Sequence, residues 1–120
     1  MIGRVAGVVL DTADPRGLAQ FYASMLGLDV KDSDESWVDI GPAGSDDVTL
    51  SFQHAPNHQP PQWPDPAYPQ QFHLDITIDG DIENAEKEVL ALGASKLGSD
   101  NETFRVYADP SGHPFCLCWG

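Results

Sequence analysis

Hydrophobic residues recur along this chain with two different periods, and the longer period predicts two helices. The first helix presents apolar residues at offsets of 3, 4, 7 and 8, namely Leu18, Phe21, Tyr22, Met25 and Leu26. Asp14-Pro15 precedes this run as a helix start, and Gly27 follows it as a helix end. The second helix presents Ile82, Ala85, Val89 and Leu92, and Gly93 ends it.

The shorter period, an alternation of apolar and polar residues, predicts eight strands. They cover residues 4–12, 28–31, 36–40, 48–53, 72–78, 95–97, 103–108 and 114–119. Superimposing the two helix ends places residue 92 on residue 26, and this offset of 66 carries Val8 onto Leu74 and Leu10 onto Ile76. The chain is therefore a repeated βαβββ unit. One such unit leaves a sheet face uncovered, so we expect two units to share a core in an α+β fold.

A proline-rich segment separates the two units. Six of the ten prolines fall within residues 54–71, which excludes a helix or a central strand there. The segment is either a linker or a long functional loop. We expect one domain of 120 residues, with a first module over 1–53, a connection over 54–71 and a second module over 72–120.

Charge narrows the range of partners. The chain has 19 acidic and 6 basic residues, a formal net charge of −13, which argues against nucleic acid and against an anionic membrane surface. A hydrophobic content of 41% excludes a disordered acidic tail. No signal peptide or membrane-spanning run is recognisable, so we expect a cytoplasmic protein whose two cysteines are reduced thiols.

Two motifs resemble signatures of a known superfamily. Asp14, Phe21-Tyr22 and Leu26-Gly27-Leu28 resemble the D-x6-F-Y-x3-L-G-L pattern of the vicinal oxygen chelate superfamily, and 109–113 resembles its D-P-x-G-N turn. That superfamily includes glyoxalase I, extradiol dioxygenases and bleomycin-resistance proteins, and this chain looks most like a glyoxalase-like branch. The resemblance implies that each module curls into half of a cup, that a small molecule binds in the cup, and that the protein is a homodimer.

The resemblance also implies where a metal would bind. Carried over position by position, the four ligand positions of metal-dependent members fall on Gly7, His73, Cys116 and Leu50, or on Ser51 instead of Leu50 if the register differs by one residue. Of the ligands usual at these positions, only His73 is present. The sequence therefore argues against the standard metal centre, and we expect no cofactor. An atypical divalent metal held by His73 and Cys116 is the alternative.

The candidate site residues are those predicted to face the cup. His73 and Asp75 share a strand face opposite Leu74 and Ile76, and two interpretations stay open: an acid–base pair that contacts the ligand, or a polar network that satisfies itself. The expected ligand-binding residues are Ser51, Gln53, Trp37, Arg105, Tyr107 and Cys116.

Three of these assignments have structural alternatives. Arg105 is either an anion anchor or half of a surface ion pair. Cys116 is a small apolar wall residue, which we favour, or a nucleophile or soft metal ligand. The proline-rich segment, with Trp63 and Tyr68, is either a lid over an apolar ligand or a plain crossover.

The predicted function is the binding of a small, apolar or aromatic molecule in the cup without the usual metal centre. One alternative is a metal-dependent lyase, isomerase or dioxygenase with an atypical site around His73. The other is a metal-free acid–base enzyme that uses His73 and Asp75. Whether the protein is an enzyme stays open at this point.

Overall fold

Each half of the described chain, residues 1–98 and 102–119, builds one four-stranded mixed sheet and one helix in this computed structural model. The halves form two compact units, unit 1 over Met1–His58 and unit 2 over Gln59–Gly120. The boundary falls inside the predicted connection, so most of the proline-rich segment belongs to unit 2. The repeated βαβββ order and the α+β class are confirmed.

Unit 1 contains β1 (Val8–Thr12), α1 (Pro15–Leu26), β2 (Asp29–Ser33), β3 (Trp37–Gly41) and β4 (Leu50–His54). Its strands lie in the order β1-β4-β3-β2, with β1 parallel to β4 and the other pairs antiparallel. The predicted strand over 4–12 begins only at Val8. The reason is the partner strand: the parallel pairing starts at Val8 opposite Leu50, so the preceding residues have no ladder to join, and Val5 is exposed.

Helix α1 begins and ends where the sequence predicts. The Asp14 carboxylate accepts a hydrogen bond from the backbone N–H of Gly17 at 3.1 Å, and Gly27 ends the helix in the left-handed conformation with φ 68°. Leu18 and Tyr22 are buried on its inner face, and Tyr22 stacks on Phe52 of β4 with ring centroids 5.7 Å apart. Burying side chains of this size contributes about 1.5–3 kcal/mol each.

Unit 2 contains β5 (Leu74–Thr77), α2 (Ile82–Leu92), β6 (Ser95–Lys96), β7 (Phe104–Ala108) and β8 (Pro114–Cys118). Its strands lie in the order β5-β8-β7-β6, which repeats the topology of unit 1. Gly93 ends α2 in the left-handed region, as predicted. Neither described helix combines the length and the apolar character that crossing a bilayer requires.

Candidate functional site

The alternation of side chains along the strands of unit 2, together with the pairing of the strands, determines which face of the sheet each side chain occupies. Arg105 and Tyr107 contact α2 through Glu83 and Glu86, which identifies the face that α2 covers. We call the opposite side the far face. One row of the far face crosses three strands, because Asp75 of β5 pairs with Cys116 of β8 and Cys116 pairs with Val106 of β7.

Three polar side chains meet on the far face and form what we call the His73 cluster: His73, Asp75 and Cys116. The Nε2 atom of His73 lies 3.1 Å from Oδ1 of Asp75. One donor atom from each of the three residues lies within 4.8 Å of the other two. His73 and Asp75 are 37% and 67% exposed, whereas Cys116 is buried. The structure thus brings together the predicted pair and Cys116, and it leaves Asp75 exposed because β5 is at the edge of its sheet.

The Cys116 thiol is protonated at neutral pH. Burial, and then the negative charge of Asp75 beside it, raise the pKa of Cys116 from its ordinary value of 9.0 to about 11. The thiol also shares a hydrogen bond with Asp75, in which the protonated sulfur donates. A thiol in this state is a weak nucleophile, so the geometry does not favour covalent catalysis by Cys116.

Part of the proline-rich segment packs along the far face, next to the row that contains Cys116. A Cβ atom built on Gly98 would lie 2.8 Å from Cβ of Val106 and 3.1 Å from the Trp63 ring, so both side chains pack directly against the backbone of this glycine. Gly112 has φ +90° and makes an equally close approach to Pro60. Because these two glycines have no side chains, the segment can lie against β7 and the turn after it.

A cavity of about 530 Å³ lies between this segment and the sheet. Its apolar walls are Pro60, Pro61 and Trp63 on one side and Leu97, Ala108 and Pro110 on the other. Gln62, Ser95 and Ser111 add polar groups without charge. Among the described residues of the lining, the carboxylate is that of Asp109, which is buried and accepts hydrogen bonds from the backbone of Ser111 and His113. Volume and lining therefore suit a small uncharged molecule.

Arg105 and Tyr107 lie on the face that α2 covers, so the structure does not bring them together with the His73 cluster. Arg105 pairs with Glu83 at 2.8 Å and with Glu86 at 3.2 Å, and the Tyr107 hydroxyl donates to Glu86 at 2.8 Å. The expectation that they contact the ligand on the cup face is corrected: Cys116 pairs with Val106, which leaves the two neighbours of Val106 on the other side of the strand. Arg105 is thus in an ion-pair network, the structural alternative.

Three other candidates lie together in unit 1, on the sheet face opposite the buried apolar row. Ser51 and Trp37 both donate to Oδ1 of Asp39 at 2.6 Å, and Gln53 pairs with Trp37 across the strands. Sequence reasoning missed Asp39. Asp39 could have been found because it is two residues from Trp37 on the same predicted strand, so its side chain lies on the same face as that of Trp37.

The residues present do not fit the four-ligand metal centre of the superfamily. In unit 1, Val9 pairs with Ser51 as Asp75 pairs with Cys116 in unit 2, so Ser51 and not Leu50 is the repeat counterpart of Cys116. The Ser51 hydroxyl is engaged by Asp39, and Gly7 has no side-chain donor. Unit 1 therefore offers no ligand at either of its two expected positions.

Comparisons with known proteins agree with this fold. The sequence model of the glyoxalase-like domain family matches residues 7–118. A possible glyoxalase from Bacillus cereus superimposes with a TM-score of 0.71 at 14% identity, covering 99% of this chain and 100% of that one. A glyoxalase/bleomycin resistance protein/dioxygenase family enzyme from Burkholderia phytofirmans gives 0.72 at 14% identity, covering 96% and 97%. A comparison with curated protein sequences gave no match.

Proposed function

The chain belongs to the glyoxalase-like domain family, and we propose that it binds a small apolar or aromatic molecule on the far face of unit 2. The observation that carries this proposal is the cavity of about 530 Å³ under the proline-rich segment, whose wall residue Trp63 lies near Gly98 together with Val106 of the row containing Cys116. In this proposal the Trp63 ring and the proline rings bury the apolar body of the ligand. Gln62, Ser95 and Ser111 are the polar groups that the ligand meets in the cavity, and His73 and Asp75 lie outside its lining, at the β5 edge of the same face.

The composition of the site supports an uncharged ligand. A proline and tryptophan wall offers contact area with little flexibility, so its ordering on binding costs little conformational entropy. The cavity has no cationic side chain among its lining residues in the described chain, and the net charge of −13 disfavours anions. A flat neutral molecule would pack against the rigid apolar wall and would need no cationic partner.

The test is titration with N-phenyl-1-naphthylamine, a neutral aromatic fluorophore that brightens in apolar surroundings. We expect saturable binding by the native protein and binding weakened roughly tenfold or more by Trp63→Ala, the loss of about 1.4 kcal/mol of contact. Tyr68→Ala is the matched control, because Tyr68 lies in the same segment, is exposed and does not line the cavity. No saturable binding, or equal weakening by both variants, would contradict the proposal.

Acid–base catalysis by His73 is a second candidate function, favoured by the 3.1 Å contact of its Nε2 atom with Asp75. A neutral ring that donates through Nε2 keeps Nδ1 as an acceptor, and Asp75 holds that tautomer. Acetophenone is an aromatic ketone whose methyl protons exchange with solvent through base catalysis. Exchange in D2O that the native protein accelerates and His73→Ala does not would support this function, and equal rates with both would exclude it for this substrate.

A further inference from the structure

We propose that the proline-rich segment binds a quaternary ammonium group, the head of a small free cation, in a second cavity of about 220 Å³. This inference goes beyond the proposed function, since it concerns another cavity and a ligand of positive charge. The cavity lies within unit 2, and Trp63 lines both this cavity and the larger one. Its lining includes two aromatic rings, one carboxylate and three proline rings, namely Trp63, Tyr68, Asp65, Pro64, Pro66 and Pro69.

The chemistry of the lining suits a cation. The face of an aromatic ring carries partial negative charge, and indole and phenol rings bind quaternary ammonium groups through this charge. Asp65 adds a full negative charge beside the rings of Trp63 and Tyr68. The described residues of the lining include no lysine, arginine or histidine that would compete with a bound cation.

The same lining favours a quaternary over a primary ammonium group. A primary ammonium has three N–H donors, and each needs an acceptor when the group leaves water. The carboxylate of Asp65 already accepts a hydrogen bond from the backbone N–H of Ala67 at 2.9 Å, and proline rings have no acceptor. A quaternary ammonium has no N–H donor, so its methyl groups need only van der Waals contact with the rings.

Backbone hydrogen bonds hold the cavity in shape before any ligand binds. The N–H of Gln62 donates to the carbonyl of Tyr68 at 3.0 Å and closes a loop over residues 62–68. Inside it, Asp65 donates to Gln62 at 2.7 Å and Tyr68 donates to Asp65 at 3.1 Å. The Trp63 ring packs against Gly98, and the prolines of the loop restrict its backbone further. An ordered loop loses little conformational entropy on binding, which favours a small ligand.

Size and charge indicate a free cation as the source of the ammonium group. Sites that enclose a drug-sized molecule have volumes of roughly 300–1,000 Å³, so this cavity encloses a head group only. The net charge of −13 attracts small cations and repels phosphate. A phospholipid joins its choline group to a phosphate, so the charge of the protein disfavours a membrane as the source.

The test compares two molecules of the same shape that differ in charge, choline and 3,3-dimethylbutan-1-ol, in which carbon replaces the ammonium nitrogen. Each is titrated against the full chain, and the NMR signal of its methyl protons reports binding. We expect saturable binding of choline and binding of the alcohol at least about fivefold weaker. No saturable binding of choline, or equal affinity for the two molecules, would overturn the proposal.

Tyr68 variants test the contribution of an aromatic ring. Tyr68→Ala should weaken choline binding at least about threefold, whereas Tyr68→Phe keeps the ring and should retain the affinity. Phe72→Ala is the matched control, because Phe72 is 56% exposed and Tyr68 is 52% exposed, but Phe72 does not line the cavity. Equal weakening by Tyr68→Ala and Phe72→Ala would refute the site.

Asp65→Asn tests the contribution of the carboxylate. Asparagine keeps an oxygen that can accept the Ala67 N–H, so the loop should stay closed while choline binding weakens about fivefold. Asp79→Asn changes the net charge equally at an exposed residue outside the cavity, and it should leave choline binding unchanged. Equal weakening by the two variants would show attraction to the whole protein and not to this cavity.

Two further readouts separate the alternatives. Cosedimentation with phosphatidylcholine vesicles should be absent, and binding to vesicles without binding to free choline would overturn the assignment of a free cation. Binding of N-phenyl-1-naphthylamine by the same samples is independent of choline. A native protein that binds the fluorophore but no choline therefore refutes this inference alone, and one that binds choline but no fluorophore refutes the proposed function alone.

Discussion

At the scale of single residues, burial determines what Cys116 can do. The thiol is buried on β8 beside the carboxylate of Asp75, and both features disfavour its anion. Its pKa rises from 9.0 to about 11, and each pKa unit is a tenfold change in the thiolate fraction at neutral pH. Cys116 should therefore react slowly with electrophiles at neutral pH.

Alkylation kinetics test this conclusion. In Cys118→Ser, where Cys116 is the remaining cysteine, we expect iodoacetamide to react about a hundredfold more slowly at pH 7.4 than with a thiol of ordinary pKa. The rate should rise about tenfold for each pH unit up to the pKa of Cys116. Asp75→Asn removes the second cause of the shift and should accelerate the reaction, but by less than the whole difference because burial is the larger cause. A rate equal to that of glutathione would contradict the assignment.

The candidate site was predictable from sequence only up to the face of each strand. Alternation predicted that Asp75 lies opposite Leu74, and the register of β5 with β8 agrees, because a strand has a fixed period of two. His73 precedes β5, and its contact with Asp75 places it in the cluster. Alternation cannot say which face of β7 adjoins which face of β8. That depends on the pairing of Val106 with Cys116, a property of register between strands, and it is why Arg105 and Tyr107 were expected on the wrong side.

At the scale of elements, helix α2 is held to its sheet by polar groups. The buried Tyr107 hydroxyl donates to Glu86, and this hydrogen bond is the main reason that the pKa of Glu86 is below its ordinary value of 4.5. Arg105 and Lys96 bind the same carboxylate. A carboxylate whose pKa is lowered by folding stabilises the fold above its unfolded pKa, and that contribution is lost as the pH falls through the folded pKa.

Tyr107→Phe isolates this contact. We expect the free energy of unfolding to fall by about 1.5–3 kcal/mol at pH 7, the usual cost of losing a hydrogen bond to a charged group. The loss should shrink as the pH falls below 4.5 and through the lowered pKa of Glu86 in the folded state. Urea unfolding at several pH values measures both effects.

Glu83→Gln is the control for the network. Glu83 pairs with the same arginine, but its side chain is 62% exposed, so we expect its replacement to change stability by less than about 1 kcal/mol. An equal loss in Glu83→Gln and Tyr107→Phe, or a Tyr107→Phe loss that does not depend on pH, would mean that the hydroxyl contact with Glu86 is not what holds α2.

At the scale of the whole molecule, the two units share one topology, but their helices pack on their sheets through different kinds of contact. Helix α1 buries Leu18, Phe21 and Tyr22 against its sheet, and its apolar period was clear in the sequence. Among the described residues of α2, Val89 alone is fully buried, and Leu90 and Leu92 are 42% and 40% exposed. The sequence predicted equivalent helices because the apolar spacing is similar. It could not show that Arg105 and Tyr107 contact α2 through the carboxylates of Glu83 and Glu86.

This difference predicts unequal local stability in the two units. Opening α1 exposes several large apolar side chains at about 1.5–3 kcal/mol each, whereas opening α2 exposes few and breaks contacts that water replaces in part. We therefore expect amide hydrogens of α2 to exchange with deuterium at least a hundredfold faster than those of α1 at pH 7, after correction for intrinsic rates. Mass spectrometry of peptides covering the two helices measures this ratio. Tyr107→Phe should accelerate exchange in α2 alone, because the contact that it removes lies within unit 2. Comparable protection of both helices in the native protein would contradict the prediction, because it would mean that the polar network holds α2 as firmly as aromatic packing holds α1.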